Sequence, residues 1–393
     1  MPLHRPLRYG MVGGGPDAFI GAVHRRAASL DGLATLAAGA FSSDPEKSRT
    51  QGRLLHLDPE RVYGGFREMA EAEAALPKGE RIDFVSIVTP NHLHHPMARA
   101  FLEAGIHVVC DKPLTTTVED AEDLLTLARE RDLILAVTYN YSGYPLVKEA
   151  RAMVREGKLG TIRKVVAEYS QGWLATAIEA EGQKQAAWRT DPERAGAGAL
   201  GDIGSHVEHL SRYVTGLEPE RILGEVHTFV PGRQVDDDAT LLVRYRGGAR
   251  GVIACTQIAV GKENDLRIRV HGTEGSLEWC QEEPNELLIR PAEGPMVVHR
   301  PGHPHLSEAA QHATRLPPGH PEAFLEGFAN VYGNIIRTIS ARLVGETPDP
   351  LDTDFPNAED GLLGVRFIRA ALEAGRTSEW VELTPTTPQN PGG

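Results

Sequence analysis

A lysine stands where a strand-like run ends. In VVCDKPLTTT, residues 108–117, Lys112 follows a row of β-branched and apolar residues. An ammonium is strongly hydrated and resists burial, so at the carboxyl end of a buried strand it needs something to hold. A second stretch, AGAGALGDIGSHVEHL over residues 195–210, sets Asp202 four positions before His206. On a helix the two share one face. Imidazole is the usual general base near neutral pH, and a carboxylate nearby orients it and raises its basicity. Read alone, the pair is equally a helix cap at Asp202 and a packed His206, and it is Lys112 that gives the catalytic reading weight.

A third stretch, GMVGGGPDAFIGAVH, follows a strand-like run and opens a helical one. Glycines there let a backbone approach a pyrophosphate, whose charge is stabilised by the free amides of the helix start. Gly13 and Gly15 fit that use, and Phe19 and Ile20 complete the local cofactor-binding candidates. The third glycine, Gly21, comes late for the usual spacing. Roughly 20 residues on, an acid normally binds the adenosine ribose of NAD. Here Ser42 and Ser43 occupy that place and Asp44 lies just beyond, with no neighbouring arginine for a 2′-phosphate, so NAD and NADP both stay open.

The elements that must position these groups change character along the chain. Through residue 140, strand-like runs such as LRYGMVGG, LATLAAGAF, IDFVSIVTP, IHVVCDKP and LILAVTYN alternate with helical stretches near residues 18–29, 96–104 and 118–131. That alternation predicts a doubly wound parallel sheet, an α/β Rossmann domain over 1–140. Thr117 and Asp120 sit where a cap of the last helix would. From 141 to 393 the pattern predicts an α+β domain for substrate binding and oligomerisation. One amphipathic helix at YPLVKEARAMVREG precedes six strand-like runs with Gly-rich turns, read as a large, mostly antiparallel open meander. LRIRVHG alternates, which leaves one sheet face wet or covered by a second copy. Residues 291–321 read as a long loop, and two helices close the chain.

Composition narrows the function classes. The chain has 393 residues, 41% hydrophobic and 24% charged, enough for about two folded domains. Its net charge of −13 argues against nucleic acid as a partner. Three separated cysteines and no apolar leader or span lead to the expectation of a reducing cytoplasm and no membrane. His92, His94 and His95 and the loop residues His299, His303, His305, His312 and His320 lack an acid or cysteine at ligand spacing, so no metal is expected. His320 is instead placed at a pocket mouth as a substrate contact.

Together DKP, GDIGSH and the glycine turn resemble the Gfo/Idh/MocA oxidoreductases, the glucose-fructose oxidoreductase and inositol dehydrogenase group. The resemblance spans nearly the whole chain, including TPNHLHHPMARAFLEAGIHVVCDKPL. It implies a catalytic set of Lys112, Asp202 and His206, which also meet the substrate. It implies cofactor contacts at Thr89, Pro90, Asn91, His94, Asp111 and Lys112. The family's NYRFxP segment stands here as TYNYSGYP, which makes Asn140 a cofactor candidate and Tyr141 a substrate candidate, while Ser142 replaces the usual arginine. The stretch QKQAAWRTDPERAG matches a Trp-Arg pattern in the family and adds Trp188 and Arg189 as cofactor contacts. The implied activity is an NAD(P)-dependent dehydrogenase of a cyclic polyol or sugar, working as a homodimer or homotetramer. Two other classes use the same residues or fold: a glycoside-cleaving enzyme with transient sugar oxidation, and a non-catalytic dinucleotide sensor.

Overall fold

Strand-length apolar runs, each followed by a helical stretch, close into a five-stranded parallel sheet in the computed structural model, which describes residues 5–16 and 18–384. The elements run β1 Leu7–Gly13, α1 Phe19–Ser29, β2 Ala34–Ala40, α2 Pro45–Leu54, α3 Phe66–Ala75, β3 Phe84–Val88, α4 His94–Glu103, β4 His107–Cys110, α5 Val118–Glu130 and β5 Leu135–Val137. The strand order is β2-β1-β3-β4-β5. The order reverses beside β1, and in such sheets the crevice at the carboxyl ends of the strands, at that switch point, is where ligands bind. Thr117 caps α5 as expected, its hydroxyl accepting from the Asp120 amide at 3.2 Å. Helices α2 and α3 were not anticipated. In α2 only Ser48, Gln51 and Gly52 are buried, so no apolar stripe marks it, although Asp44 before Pro45 is a start signal.

The chain divides into two compact units, where the alternation of strand-like and helical runs predicts a single boundary after residue 140. Residues up to Gly143 cluster with Phe324–Leu362; Tyr144–Ala323 cluster with the residues from Leu363 on. The helix Phe324–Leu343 supplies the reason. Phe328, Val331, Tyr332, Ile335, Ile336 and Ile339 recur at helical spacing and lie in one core with Leu7, Met11, Phe84, Val109 and Ala136 of the sheet. Burying each such side chain contributes roughly 1.5–3 kcal/mol.

The second unit holds α6 Pro145–Arg155, α7 Lys184–Arg189, α8 Pro192–Ala195, α9 Ser205–Thr215 and α10 Glu308–His312 beside a nine-stranded sheet. Its strands are β6 Ile162–Ser170, β7 Pro219–His227, β8 Asp238–Tyr245, β9 Arg250–Thr256, β10 Asp265–Gly272, β11 Gly275–Cys280, β12 Leu287–Pro291, β13 Val297–His299 and β14 Val381–Glu382. The order is β13-β12-β11-β10-β6-β9-β8-β7-β14. A plain meander was expected; instead β6 inserts between two meanders and pairs in parallel with β9. The alternation in β10 is as read: Leu266, Ile268 and Val270 are fully buried while Arg267, Arg269 and His271 face away. The segment 291–321 is not wholly a loop, since β13 and α10 lie in it; at three and five residues both are too short to show a period. Among the described residues no helix is long and apolar enough to cross a membrane.

Two buried histidines of the first unit make its stability sensitive to acid. His107 accepts a hydrogen bond from the Ile134 amide at 2.9 Å, which requires a neutral Nδ1. Burial pushes both His24 and His107 down to about 4 from 6.5. Between those values the unfolded chain binds the protons and the folded one does not, so stability is complete above pH 6.5 and falls towards pH 4. Each histidine accounts for roughly 3 kcal/mol at most. The thermal midpoint should be level above about pH 7 and drop through this window. His107→Asn, whose side-chain oxygen can accept the same bond, should show a shallower drop.

Candidate functional site

The turn between β1 and α1 is shaped for close backbone approach. Gly13 and Gly14 have φ of +86° and +71°, a region L side chains rarely adopt. A Cβ at Gly13 would stand 2.8 Å from the Val88 carbonyl oxygen. Gly14, absent from the residues singled out by spacing, thus belongs to the turn, and the Arg25 guanidinium donates to its carbonyl at 3.0 Å. The late Gly21 has a different task. A Cβ there would lie 2.4 Å from the Gly14 Cα, so Gly21 lets α1 seat directly beneath the turn. No acid occupies the first turn of α1 and Ala18 offers no side-chain cap, so the α1 amides are left for an anion. Phe19 is 71% exposed beside them, and Ile20 is half-buried.

The other sheet candidates stand at the carboxyl ends of successive strands. After β2, the Ser42 hydroxyl accepts from the Asp44 amide at 3.1 Å, and Asp44 caps α2 by accepting from the Glu46 and Lys47 amides. That carboxylate is therefore spent on a helix. After β3, Thr89 and Pro90 are half-buried and Asn91 is buried. His94, expected as a cofactor contact, lies between two of these loops. It is fully buried, with Nδ1 2.8 Å from the Pro113 carbonyl and Nε2 2.9 Å from the Thr89 carbonyl. Burial favours the neutral ring, whose single N–H donates to one of these carbonyls while the other nitrogen only abuts the second.

After β4, Asp111 Oδ1 accepts from the Lys112 amide at 2.9 Å and from the Thr138 hydroxyl at 2.8 Å. Burial pushes this carboxyl up, but His24, Lys112, His94 and the Thr138 hydroxyl outweigh it, and the net direction is below the ordinary range. Lys112 itself is half-buried. After β5, Asn140 is 3% exposed and its Nδ2 has no hydrogen-bond partner. A buried amide donor without an acceptor is costly and suits a ligand that supplies one. Tyr141 is buried with its ring 6.4 Å from that of Phe324. Ser142 donates to the Tyr139 carbonyl at 2.9 Å, a local bond an arginine would not make.

In the second unit a π-helical turn, Leu200–Gly204, runs straight into α9 and carries Asp202 and His206 on consecutive turns. The glycines before it are explained by Asp236, which is 6% exposed. Its carboxylate accepts from the Gly198 and Leu200 amides, both at 2.7 Å, and its carbonyl accepts from Ala199 at 2.9 Å. A Cβ at Gly198 would lie 1.8 Å from that carbonyl oxygen. Asp202 Oδ2 accepts from Gln257 Nε2 at 2.8 Å and pairs with Arg189 Nε at 3.4 Å. Arg189, expected at the cofactor, also stacks over Trp188 at 4.3 Å and bonds Gln185 at 2.7 Å. His206 is 7% exposed, with the Tyr169 ring at 6.4 Å. Asp236 and Gln257 escaped the sequence reading, and no local pattern marks either. His320 is exposed in a turn, its Nδ1 3.1 Å from the Pro317 carbonyl, an arrangement the turn by itself accounts for.

Residues 7–139 match the family model described as an oxidoreductase family with an NAD-binding Rossmann fold, and residues 147–278 match the GFO/IDH/MocA C-terminal domain. The chain belongs to the Gfo/Idh/MocA oxidoreductase family. An uncharacterised oxidoreductase of Bacillus subtilis is 34% identical over 97% of this chain and 98% of that one. An inositol dehydrogenase homolog from Azotobacter vinelandii, solved with NADH and myo-inositol, is 36% identical with a TM-score of 0.89, covering 97% of this chain and 98% of that one. A levoglucosan dehydrogenase solved with NADH and levoglucosan is 26% identical with a TM-score of 0.82, covering 97% and 100%.

The first unit is thus the family's NAD-binding Rossmann fold, and its glycine cradle, open helix start and orphaned Asn140 amide fit that cofactor. A methyl group at Gly21 must push the Gly14 turn out of place, and overpacking of this kind costs about 1–3 kcal/mol. Gly21→Ala should therefore weaken NADH binding about tenfold or more in a fluorescence titration. An unchanged dissociation constant would show that the turn does not need α1 so close.

Proposed function

We propose that this protein is an NAD(P)-dependent dehydrogenase acting on the CH–OH carbon of a cyclic polyol or sugar of inositol or aldose type. The observation that carries the reading is the anchored carboxylate of Asp202 one turn before His206, held by Gln257 and Arg189. A carboxylate pinned in this way and a nearly buried imidazole on the next turn are the parts of a general base and its charge partner. The family's lysine is present as Lys112, and relatives solved with myo-inositol and with levoglucosan support a polyhydroxylated ring as substrate.

The nicotinamide, when bound, supplies the hydride acceptor. The residues supply the rest. Lys112 donates a hydrogen bond to the oxygen of the reacting carbon and stabilises the negative charge that grows on it. His206 takes the hydroxyl proton as the C–H bond breaks, so the carbinol loses a proton and a hydride and becomes a carbonyl. Asp202 opposes the charge of the resulting imidazolium, and Gln257 and Arg189 keep it aimed. Thr89, Pro90, Asn91 and Asp111 would hold the nicotinamide half, and Ser42 the adenosine ribose.

A screen of inositols, aldoses and their glycosides with NAD and NADP, followed by absorbance of the reduced cofactor, should find net reduction with a free polyol or aldose. His206→Ala should then lose about 10² to 10⁴ in turnover while binding NADH as before. Near-normal turnover in that variant would remove His206 from the chemistry.

A further inference from the structure

A histidine lies buried behind the catalytic lysine of this reading. His24, on α1, is fully buried, with its ring edge-on to Phe328 at 4.7 Å. Its Nδ1 stands 2.7 Å from the Tyr332 hydroxyl, which stands 2.8 Å from the Ser86 hydroxyl. Its Nε2 has no hydrogen-bond partner and faces Asp111 Oδ1 at 3.9 Å. That oxygen is the one that accepts from the Lys112 amide and the Thr138 hydroxyl.

One proton arrangement satisfies the chain. A carboxylate favours an N–H aimed at it, so the proton sits on Nε2 and Nδ1 is an acceptor. Tyr332 then donates to Nδ1, and Ser86 donates to Tyr332. Burial keeps the imidazole neutral, against the pull of Asp111, while Arg25 and His94 add to the downward push. The imidazole is fully buried and the Asp111 side chain only 16% exposed, so a neutral N–H dipole aimed at that carboxylate acts over 3.9 Å more strongly than it would in water. An apolar side chain would suit this core better, so packing does not account for the histidine.

We propose that His24 is a positioning residue for Lys112, acting through Asp111: its Nε2–H, held in place by Tyr332 and Ser86, fixes the carboxylate that in turn holds the Lys112 backbone amide. The inference rests on the role given to Lys112 above and adds what holds that residue. It implies that an uncharged donor in place of Nε2–H should suffice. Glutamine can place its amide nitrogen there, whereas leucine cannot.

The test compares His24→Leu, His24→Gln and Tyr332→Phe in the full-length protein. The Lys112 amide resonance is followed by selective 15N-lysine labelling, assigned with Lys112→Arg, and turnover and melting temperature are measured alongside. His24→Leu should displace the Lys112 resonance and lower kcat at least tenfold with KM changed less than threefold. His24→Gln should restore the resonance and most of kcat, even where both variants lower the melting temperature equally. Tyr332→Phe, which frees the imidazole to rotate, should move both readouts in the same direction and decides the matter if His24→Leu does not fold. An unmoved Lys112 resonance, or losses of kcat that simply follow melting temperature, overturns the proposal. The resonance needs no substrate, so the two readings can fail separately: full activity in Lys112→Ala would defeat the role of the lysine and leave the His24 contact to be judged by the resonance.

Discussion

A carboxylate drawn wholly or largely out of water must be given donors, and each unit of this protein arranges a candidate segment around one that has them. In the first unit Asp111 takes the Lys112 amide and the Thr138 hydroxyl, which ties the end of β4 to the residue after β5. In the second, Asp236 takes two amides of the glycine-rich approach to the π-helical turn and sets where Asp202 and His206 begin. A hydrogen bond to a charged acceptor is worth about 1.5–3 kcal/mol, and leaving such a charge buried without donors costs more. The backbone around each acid is therefore held to a narrow set of conformations, as a site that must place a proton donor or acceptor requires.

The glycines follow from the same need for close approach. Gly13 and Gly14 turn the chain where a side chain would meet Val88 and Arg25, and Gly21 admits the helix beneath. Gly198 does for Asp236 what these do for the dinucleotide turn: it removes a Cβ that would occupy the place of an oxygen. The histidines divide by environment. His94 stands between two loop carbonyls and can donate to one of them, His107 is a neutral acceptor inside the sheet, and His24 reaches towards Asp111 from the core. His206 follows, one turn on, an acid held by Gln257.

The family relationship and the local chemistry agree on what the scaffold does. An NAD-binding fold supplies the electron acceptor, and relatives with inositol or anhydrosugar ligands carry the same two-part chain over nearly its full length. The Tyr169 ring stands 6.4 Å from that of His206, and its hydroxyl donates to Asn264, which also accepts from the Gln171 amide.

The alternation of short apolar runs and helices, the glycine turn and the spacing of Asp202 and His206 were legible in the linear chain, because a period or a turn is written in residues that are neighbours. So were the cap at Thr117 and the in-and-out alternation of β10. The tertiary structure alone decided that Phe324–Leu343 completes the first core, that β6 enters the second sheet between two meanders, and that Gly21 serves packing. It also found the partners of the candidate residues. Gln257 lies 55 positions from Asp202, and Tyr332 lies 308 from His24. Such contacts are selected by the burial of whole faces and the pairing of polar groups left inside them, and no local pattern can record which distant residue arrives to make the pair.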